Sequence, residues 1–207
     1  MNTQLARTSI DEQSMAEQSM AEQSSFLENV QRLQNEYYQS SPKNAIFKKQ
    51  QKTECAQQIS NTININQLYS KTIFIIPNTN SIWVDYTIFK LYANPQNYHD
   101  IIKYLIYNIT HIIGIYTTFS IHINLNTFTI SSAERYRESI NLFCSECMKL
   151  EVRFINCLSG MYIYNTPSLM DSISMFFAPL MPTEVKNKVI MYGKKESPRL
   201  IQQLMAN

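Results

Sequence analysis

The sequence predicts an α/β fold, with a mainly parallel or mixed sheet flanked by helices and a helical or disordered N-terminal arm. Short β-branched and aromatic segments at 72–76, 119–125 and 161–164 have the composition of buried strands. The segments between them are long and show helical periodicity, as crossovers between parallel strands require. A chain of 207 residues that is 44% hydrophobic is long enough for one domain with a sizeable core.

The N-terminal arm is predicted to comprise residues 1–69. Its first 25 residues contain MAEQS twice in tandem, a low-complexity composition typical of disorder or of an extension to the next helix. Residues 26–38 predict a short amphipathic helix that begins at Ser24 or Ser25 as N-cap. Its apolar face consists of Phe26, Val30, Leu33 and Tyr37. This face either packs on the protein's own domain or binds a partner, and we expect the arm to serve interaction or assembly.

A second helix is predicted at 45–59, followed by a linker at 61–66, and the domain proper is predicted to span 70–207. Within the domain, the segment 72–76 is the first strand and 82–91 has the composition of a second.

Two helices frame the predicted central strand, 119–125. The first begins at Pro95, carries a wide stripe of isoleucines and is predicted to end at Gly114 as its C-cap. The second is predicted over 133–149, with Ser131 or Ser132 as N-cap.

The stretch 160–193 predicts strand, helix, helix and strand in that order. Thr166 and Pro167 break the strand 161–164, and we expect Thr166 to N-cap an apolar helix over 168–180. A second short helix begins at Thr183, and Gly193 ends the strand 189–192. A last helix is predicted over 199–205.

This stretch contains, in order, Asn165, Pro167, Phe177, Pro179, Leu180, Thr183, Lys186, Lys188, Val189 and Ile190. In this pattern it resembles the C-terminal half of CRAL-TRIO domains, the family of phosphatidylinositol, retinaldehyde and tocopherol carriers. The resemblance covers 160–205, and the elements from 71 to 159 follow in the family's order. The length of 70–207 is similar to that of the compact, divergent BCH-like branch, which is associated with protein interaction.

The resemblance implies a lipid pocket whose floor is the sheet and whose gate is the helix 168–180. The residues expected to face an acyl chain are Ile121 and Ile123 on the floor and Met170, Ile173, Phe177 and Leu180 on the gate. The alternative is a dry core, in which Met170, Met175, Phe176 and Phe177 fill the same space.

The sequence contains no catalytic signature. It has no GxSxG elbow, and its three glycines form no phosphate-binding loop. Cys144 and Cys147 have CxxC spacing but lie inside a predicted helix, without the second pair that a zinc site needs. The three histidines have no neighbouring nucleophile, so we expect no enzyme activity, no metal and no cofactor.

Composition also limits the partners. A net charge of +2 is too small for nucleic-acid binding, and no apolar run reaches the length of a membrane span. The N-terminus lacks a secretory signal pattern, and four irregularly spaced cysteines are typical of reduced thiols. We therefore expect a cytoplasmic protein, peripheral to membranes through Lys186, Lys188, Lys194 and Lys195.

The favoured function is a non-enzymatic binding module that acts as a protein-interaction or assembly scaffold, with a protein partner at the N-terminal arm. This prediction rests on the crowding of large side chains in 168–180 and on the short domain. The alternative is a carrier or sensor of a hydrophobic ligand, such as a phospholipid, at a membrane surface.

Overall fold

The protein is described by a computed structural model over residues 24–42, 46–170, 173–174, 179 and 181–206. The chain divides into two compact units, Met1–Ile59 and Ser60–Asn207. Each unit is considered by itself below.

The first unit contains the helix α1, residues 24–40, and most of α2, Lys48–Thr62. The predicted apolar face of α1 is buried at Phe26, Val30, Leu33 and Tyr37. The Tyr37 hydroxyl donates to Glu54 Oε2 over 2.7 Å, which joins the two helices. The predicted caps Ser24 and Ser25 are themselves helical residues and do not cap α1.

The second unit alternates strands and helices as predicted. Its strands are β1 (Ile73–Ile75), β2 (Ser81–Asp85), β3 (Phe119–Asn124), β4 (Leu158–Thr166) and β5 (Val189–Gly193). Its helices, within the described residues, are α3 (Ile65–Thr72), α4 (Tyr86–Tyr92), α5 (Tyr98–Tyr116), α6 (Ile130–Arg135), α7 (Arg137–Lys149), α8 (Glu151–Cys157), α9 (Thr183–Lys186) and α10 (Ser197–Met205).

The five strands form one sheet in the order β1-β2-β3-β4-β5. The first pair is antiparallel and the other three pairs are parallel, which confirms the predicted mixed, mainly parallel sheet. Because successive right-handed crossovers run in one direction along the sheet, the connecting helices lie on one face. The other face is left for α10, whose Leu200, Ile201 and Leu204 pack there.

Two predictions in the first half of the domain are wrong. The segment 82–91 is not one strand, because Asp85 ends β2 and its side chain accepts the backbone N–H of Thr87 at 2.7 Å as the N-cap of α4. The segment 61–66 is not wholly a linker, because α3 begins at Ile65, with Asn64 as its cap.

Two predicted helices on either side of β3 also differ from the structure. Helix α5 continues past Gly114 to Tyr116 and ends at Thr117, which takes the left-handed conformation (φ 63°). The predicted helix 133–149 is two helices, broken at Tyr136, and Thr129 rather than Ser131 or Ser132 is the N-cap. Thr129 can cap because its hydroxyl accepts the Ser132 N–H that the first turn leaves without a helical partner.

The predicted cap Thr166 is instead the last residue of β4, and its hydroxyl donates to the Tyr192 carbonyl at 2.9 Å. Of the predicted helix 168–180, Met170, Ile173 and Ser174 are helical, and much of the rest lies outside the described residues.

Candidate functional site

The two faces of the sheet carry different kinds of side chain. On β3, Ile121 and Ile123 point to the face that carries the crossover helices, because alternate residues of a strand face opposite sides. Their neighbours Ser120 and His122 point to the face under α10. The crossover face of the sheet is therefore aliphatic where the strands meet.

A cavity of about 260 Å³ lies between this aliphatic face and the helices. Each of the five strands contributes to its floor, and the apolar floor residues are Ile73, Val84, Ile121, Ile123, Met161, Ile163, Val189 and Met191. Met148 and Met191 line the cavity and are also 51% and 43% exposed.

The residues predicted to contact a ligand are found at this cavity as far as the structure describes them. Ile121 and Ile123 lie on the floor, and Met170 and Ile173 line the opposite wall. The remaining two predicted residues, Phe177 and Leu180, lie outside the described residues, as do Met175 and Phe176, which were expected to fill a dry core.

Much of the wall comes from residues that sequence reasoning did not select. Helix α4 contributes Tyr86 and Phe89, and α7 contributes Ser139, Ile140 and others one helical turn apart. The three- and four-residue spacing along α7 was a usable signal for an inward face. Helix α4 gave no such signal, because 82–91 has the composition of a strand.

The described lining has no Asp, Glu, Lys, Arg or His side chain. Burial raises the pKa of the Cys144 and Cys147 thiols, and it raises the pKa of Tyr136 to about 12. These groups are therefore uncharged at neutral pH, and the lining as described presents no charge to a ligand.

The raised thiol pKa values also bear on the CxxC pair. A thiolate is the reactive and metal-binding form of cysteine, and burial disfavours that form at both positions. Across the part of the chain that the structure describes, no group of three or more His, Cys, Asp or Glu side chains is placed to hold a metal ion.

The four predicted membrane-surface lysines lie at the two ends of β5. Lys186 lies before β5, whereas Lys194 and Lys195 follow it, and five strand residues separate the two sites by about 15 Å. Lys188 is half-buried, and its ammonium donates to the carbonyls of Ile155 and Leu158, both at 2.7 Å. It thus joins the α8–β4 junction to the residue that precedes β5.

None of the helices within the described ranges is both long enough and apolar enough to cross a membrane. A model of the CRAL/TRIO domain family matches residues 82–207, which include every parallel strand of the sheet and the cavity floor that they form. Comparison with curated proteins gave no match.

Proposed function

The chain belongs to the CRAL/TRIO domain family, and on that premise we propose that it is a non-enzymatic module that binds a hydrophobic ligand in the cavity between sheet and helices. The observation that carries the proposal is an apolar cavity without a charged lining residue among those described. This is the alternative that the sequence left open, and we prefer it to the scaffold. The assignment to the compact, divergent branch of the family stays a prediction.

The size of the cavity limits the part of a ligand that it encloses. Ligand pockets commonly have volumes of about 300–1,000 Å³, so a cavity of about 260 Å³ is near the lower bound. It suits one acyl or isoprenoid chain better than the two chains of a phospholipid. Met170 and Ile173 are proposed to contact that chain from the gate, opposite Ile121 and Ile123 on the floor.

Ligand binding is tested with protein purified from cells, by native mass spectrometry followed by lipid extraction. We expect one hydrophobic molecule per chain. Titration of the delipidated protein at neutral pH with an intrinsically fluorescent, uncharged polyene alcohol measures the affinity of the cavity itself.

Ile123→Phe places a ring in the cavity and should reduce binding of this probe at least tenfold. The matched control is Ile190→Phe, on β5 but outside the cavity lining and 44% exposed, which should bind as the wild type does. An empty protein from cells, together with a probe that does not bind, would overturn the proposal.

An assembly scaffold is the second candidate function, and the exposed face of α5 favours it. Tyr107 and Ile115 are 68% and 60% exposed on this face, and no charged residue occurs between positions 104 and 133. Protein interfaces are depleted of charge and enriched in tyrosine in this way.

We propose a second copy of this chain as the occupant of that face. Tyr107, His111 and Ile115 are spaced symmetrically about His111, so antiparallel packing of two α5 helices places Tyr107 against Ile115 of the second copy. One helix face covers less than the roughly 800 Å² per partner of a stable interface, so association should be weak.

Sedimentation over a wide range of protein concentration tests this dimer. We expect a monomer–dimer equilibrium that Tyr107→Glu abolishes and that Met205→Glu, at another exposed apolar residue, leaves unchanged. A wild-type protein that stays monomeric at millimolar concentration would contradict the second candidate.

A protein partner of the N-terminal arm remains a proposal of narrower scope. Because the apolar face of α1 is buried, such a partner would contact its polar face, which includes Glu28, Arg32 and Glu36.

Membrane attachment is proposed only through Lys186, Lys194 and Lys195. Three lysines at the two ends of β5 would bind anionic lipid weakly, and salt would weaken that binding further.

A further inference from the structure

Strand β5 is one edge of the sheet, and its apolar side chains are exposed on both faces. Ile190 and Met191 are 44% and 43% exposed. Successive residues of a strand point to opposite faces, so exposure of both residues indicates an uncovered edge and not one open face. The other edge strand, β1, consists of buried and half-buried residues.

The backbone of β5 has hydrogen-bonding groups left for another strand. The Lys188 carbonyl faces β4, where it accepts the Met161 N–H at 2.9 Å. Because successive residues of a strand alternate in direction, the N–H and C=O groups of Val189 and Met191 face away from β4. Across the part of the chain that the structure describes, no hydrogen bond involves these outward groups. An extended segment can therefore continue the sheet at this edge.

The charges at the ends of β5 disfavour a second copy of this chain as that segment. The exposed charged side chains from 184 to 199 are mostly cationic: Lys186, Lys194, Lys195 and Arg199, against Glu184 and Glu196. A symmetric dimer requires antiparallel pairing of two β5 strands. Pairing about Met191 or Ile190 places Lys194 of one copy opposite Lys188 or Lys186 of the other, and like charges opposite each other destabilise a strand pair.

We propose that β5 is a docking edge for an extended peptide that has an apolar centre and acidic residues at its ends. The peptide backbone pairs with Val189 and Met191, and its carboxylates lie near the lysines that flank the strand. In binding by strand addition, main-chain hydrogen bonds supply affinity and alternate side chains supply specificity. The docking edge does not depend on a ligand in the cavity.

Two labelled peptides test this edge against the full-length protein. Both have a short centre of alternating valine and threonine, and the centre is flanked by glutamates in one peptide and by lysines in the other. Fluorescence anisotropy measures their binding. We expect the acidic peptide to bind about tenfold more tightly at low salt, and this gap should close as salt screens the charges.

Amide hydrogen exchange, resolved by residue with NMR, shows whether the peptide adds a strand. In the free protein the amides of Val189 and Met191 should exchange fast and that of Ile190 slowly, because only the last faces β4. The acidic peptide should slow exchange at Val189 and Met191 about tenfold or more. Binding without this protection would overturn the proposal, since charge alone would then hold the peptide.

Charge reversal separates the flanking lysines from the rest of the surface. Lys194→Glu combined with Lys195→Glu should weaken the acidic peptide about tenfold and favour the basic one. The matched control is Lys48→Glu combined with Lys49→Glu, which changes the net charge equally at exposed residues of α2 and should bind as the wild type does. An acidic peptide that binds both double variants alike would overturn the charge complementarity.

Other occupants of the edge would give different results. Slow exchange at Val189 and Met191 in the dilute protein would mean that another segment of this chain covers β5. Protection that grows with protein concentration would identify a second copy, and protection by anionic vesicles but not by the peptide would identify a membrane contact. Each of these results overturns the proposal, as does equal binding, or no binding, of the two peptides.

Discussion

The two faces of one sheet differ in how their space is filled. The face under α10 carries Trp83, Tyr164 and Tyr192, whose rings follow one another at centroid distances of 5.9 and 5.4 Å. The opposite face carries aliphatic side chains and a cavity of about 260 Å³. Broad rings cover a sheet closely, whereas short branched chains leave space unless the helices approach.

The two faces also treat polar groups differently. His122 is buried under α10, yet its ring nitrogens lie 2.9 Å from the hydroxyl oxygens of Ser120 and Tyr164. Ser120 in turn lies 2.9 Å from the hydroxyl of Ser81. On the cavity face, the described lining residues include no charged side chain. Bonded polar groups and close packing mark a structural face, and the ligand site that we propose lies at the cavity on the other face.

The largest difference in stability is expected when one side chain is truncated on each face. Trp83→Ala should lower the free energy of unfolding by about 3–5 kcal/mol, because it opens a new void in a packed cluster. Ile123→Ala should cost less than about 2 kcal/mol, since it enlarges a space that exists and its side chain is half-buried. Urea denaturation measures both, and equal costs would contradict the distinction between the faces.

The pH dependence of stability tests the packed face alone. Burial among Ser120, Tyr162, Tyr164 and Trp83 lowers the pKa of His122 from 6.5 to about 4. Above pH 6.5 both the folded and unfolded states hold a neutral imidazole. As pH falls from 6.5 to 4, the unfolded state takes up a proton that the folded state does not, so stability is lost by up to about 3 kcal/mol.

His122→Gln keeps a hydrogen-bonding side chain that does not titrate. The difference in unfolding free energy between wild type and this variant should therefore be flat above pH 6.5 and change below it. A difference that is constant from pH 7 to 4 would show that His122 is not held neutral by burial.

Adding one methyl group to the packed face should be unfavourable. A Cβ at Gly160 would lie 2.9 Å from the Tyr162 ring, and that ring is stacked on His122 at a centroid distance of 4.7 Å. Gly160→Ala should thus lower the unfolding free energy by about 1–3 kcal/mol. Thermal unfolding measures the change, and an unaltered melting temperature would mean that the stack yields easily.

Adding one methylene to the cavity face should have the opposite sign and the smallest effect. Val84→Ile extends a floor residue into open space and should raise stability by up to about 0.8 kcal/mol. The same thermal measurement applies to the protein without ligand. A loss of stability would mean that the cavity is too shallow at Val84 to accept a larger side chain.

The family resemblance and strand alternation together made the floor of the site predictable from sequence. The resemblance implied Ile121 and Ile123 as floor residues, and alternation adds that they share a face, because residues two apart in a strand do so. The polar break at the end of β4 and the short element at Thr183 were predictable for a similar reason: turn residues and prolines restrict the backbone locally.

The wall of the site was less predictable. The switch from β2 to α4 at Asp85 placed Tyr86 and Phe89 at the cavity, although their composition favours a strand. The cap signal of Asp85 was present, but it is weak beside six strand-forming neighbours. Gly114 was similarly misleading, since a glycine ends a helix only where the chain must turn.

The sequence by itself determined the order of strands and helices, the family resemblance and which floor residues share a face, because these depend on short-range patterns of side chains along the chain. Only the tertiary structure decided that a cavity lies between the floor and the helices, that Tyr86 and Phe89 line it and that the Lys188 ammonium donates to the carbonyls of Ile155 and Leu158. Those features depend on how closely elements far apart in sequence approach one another, and no local pattern specifies that distance.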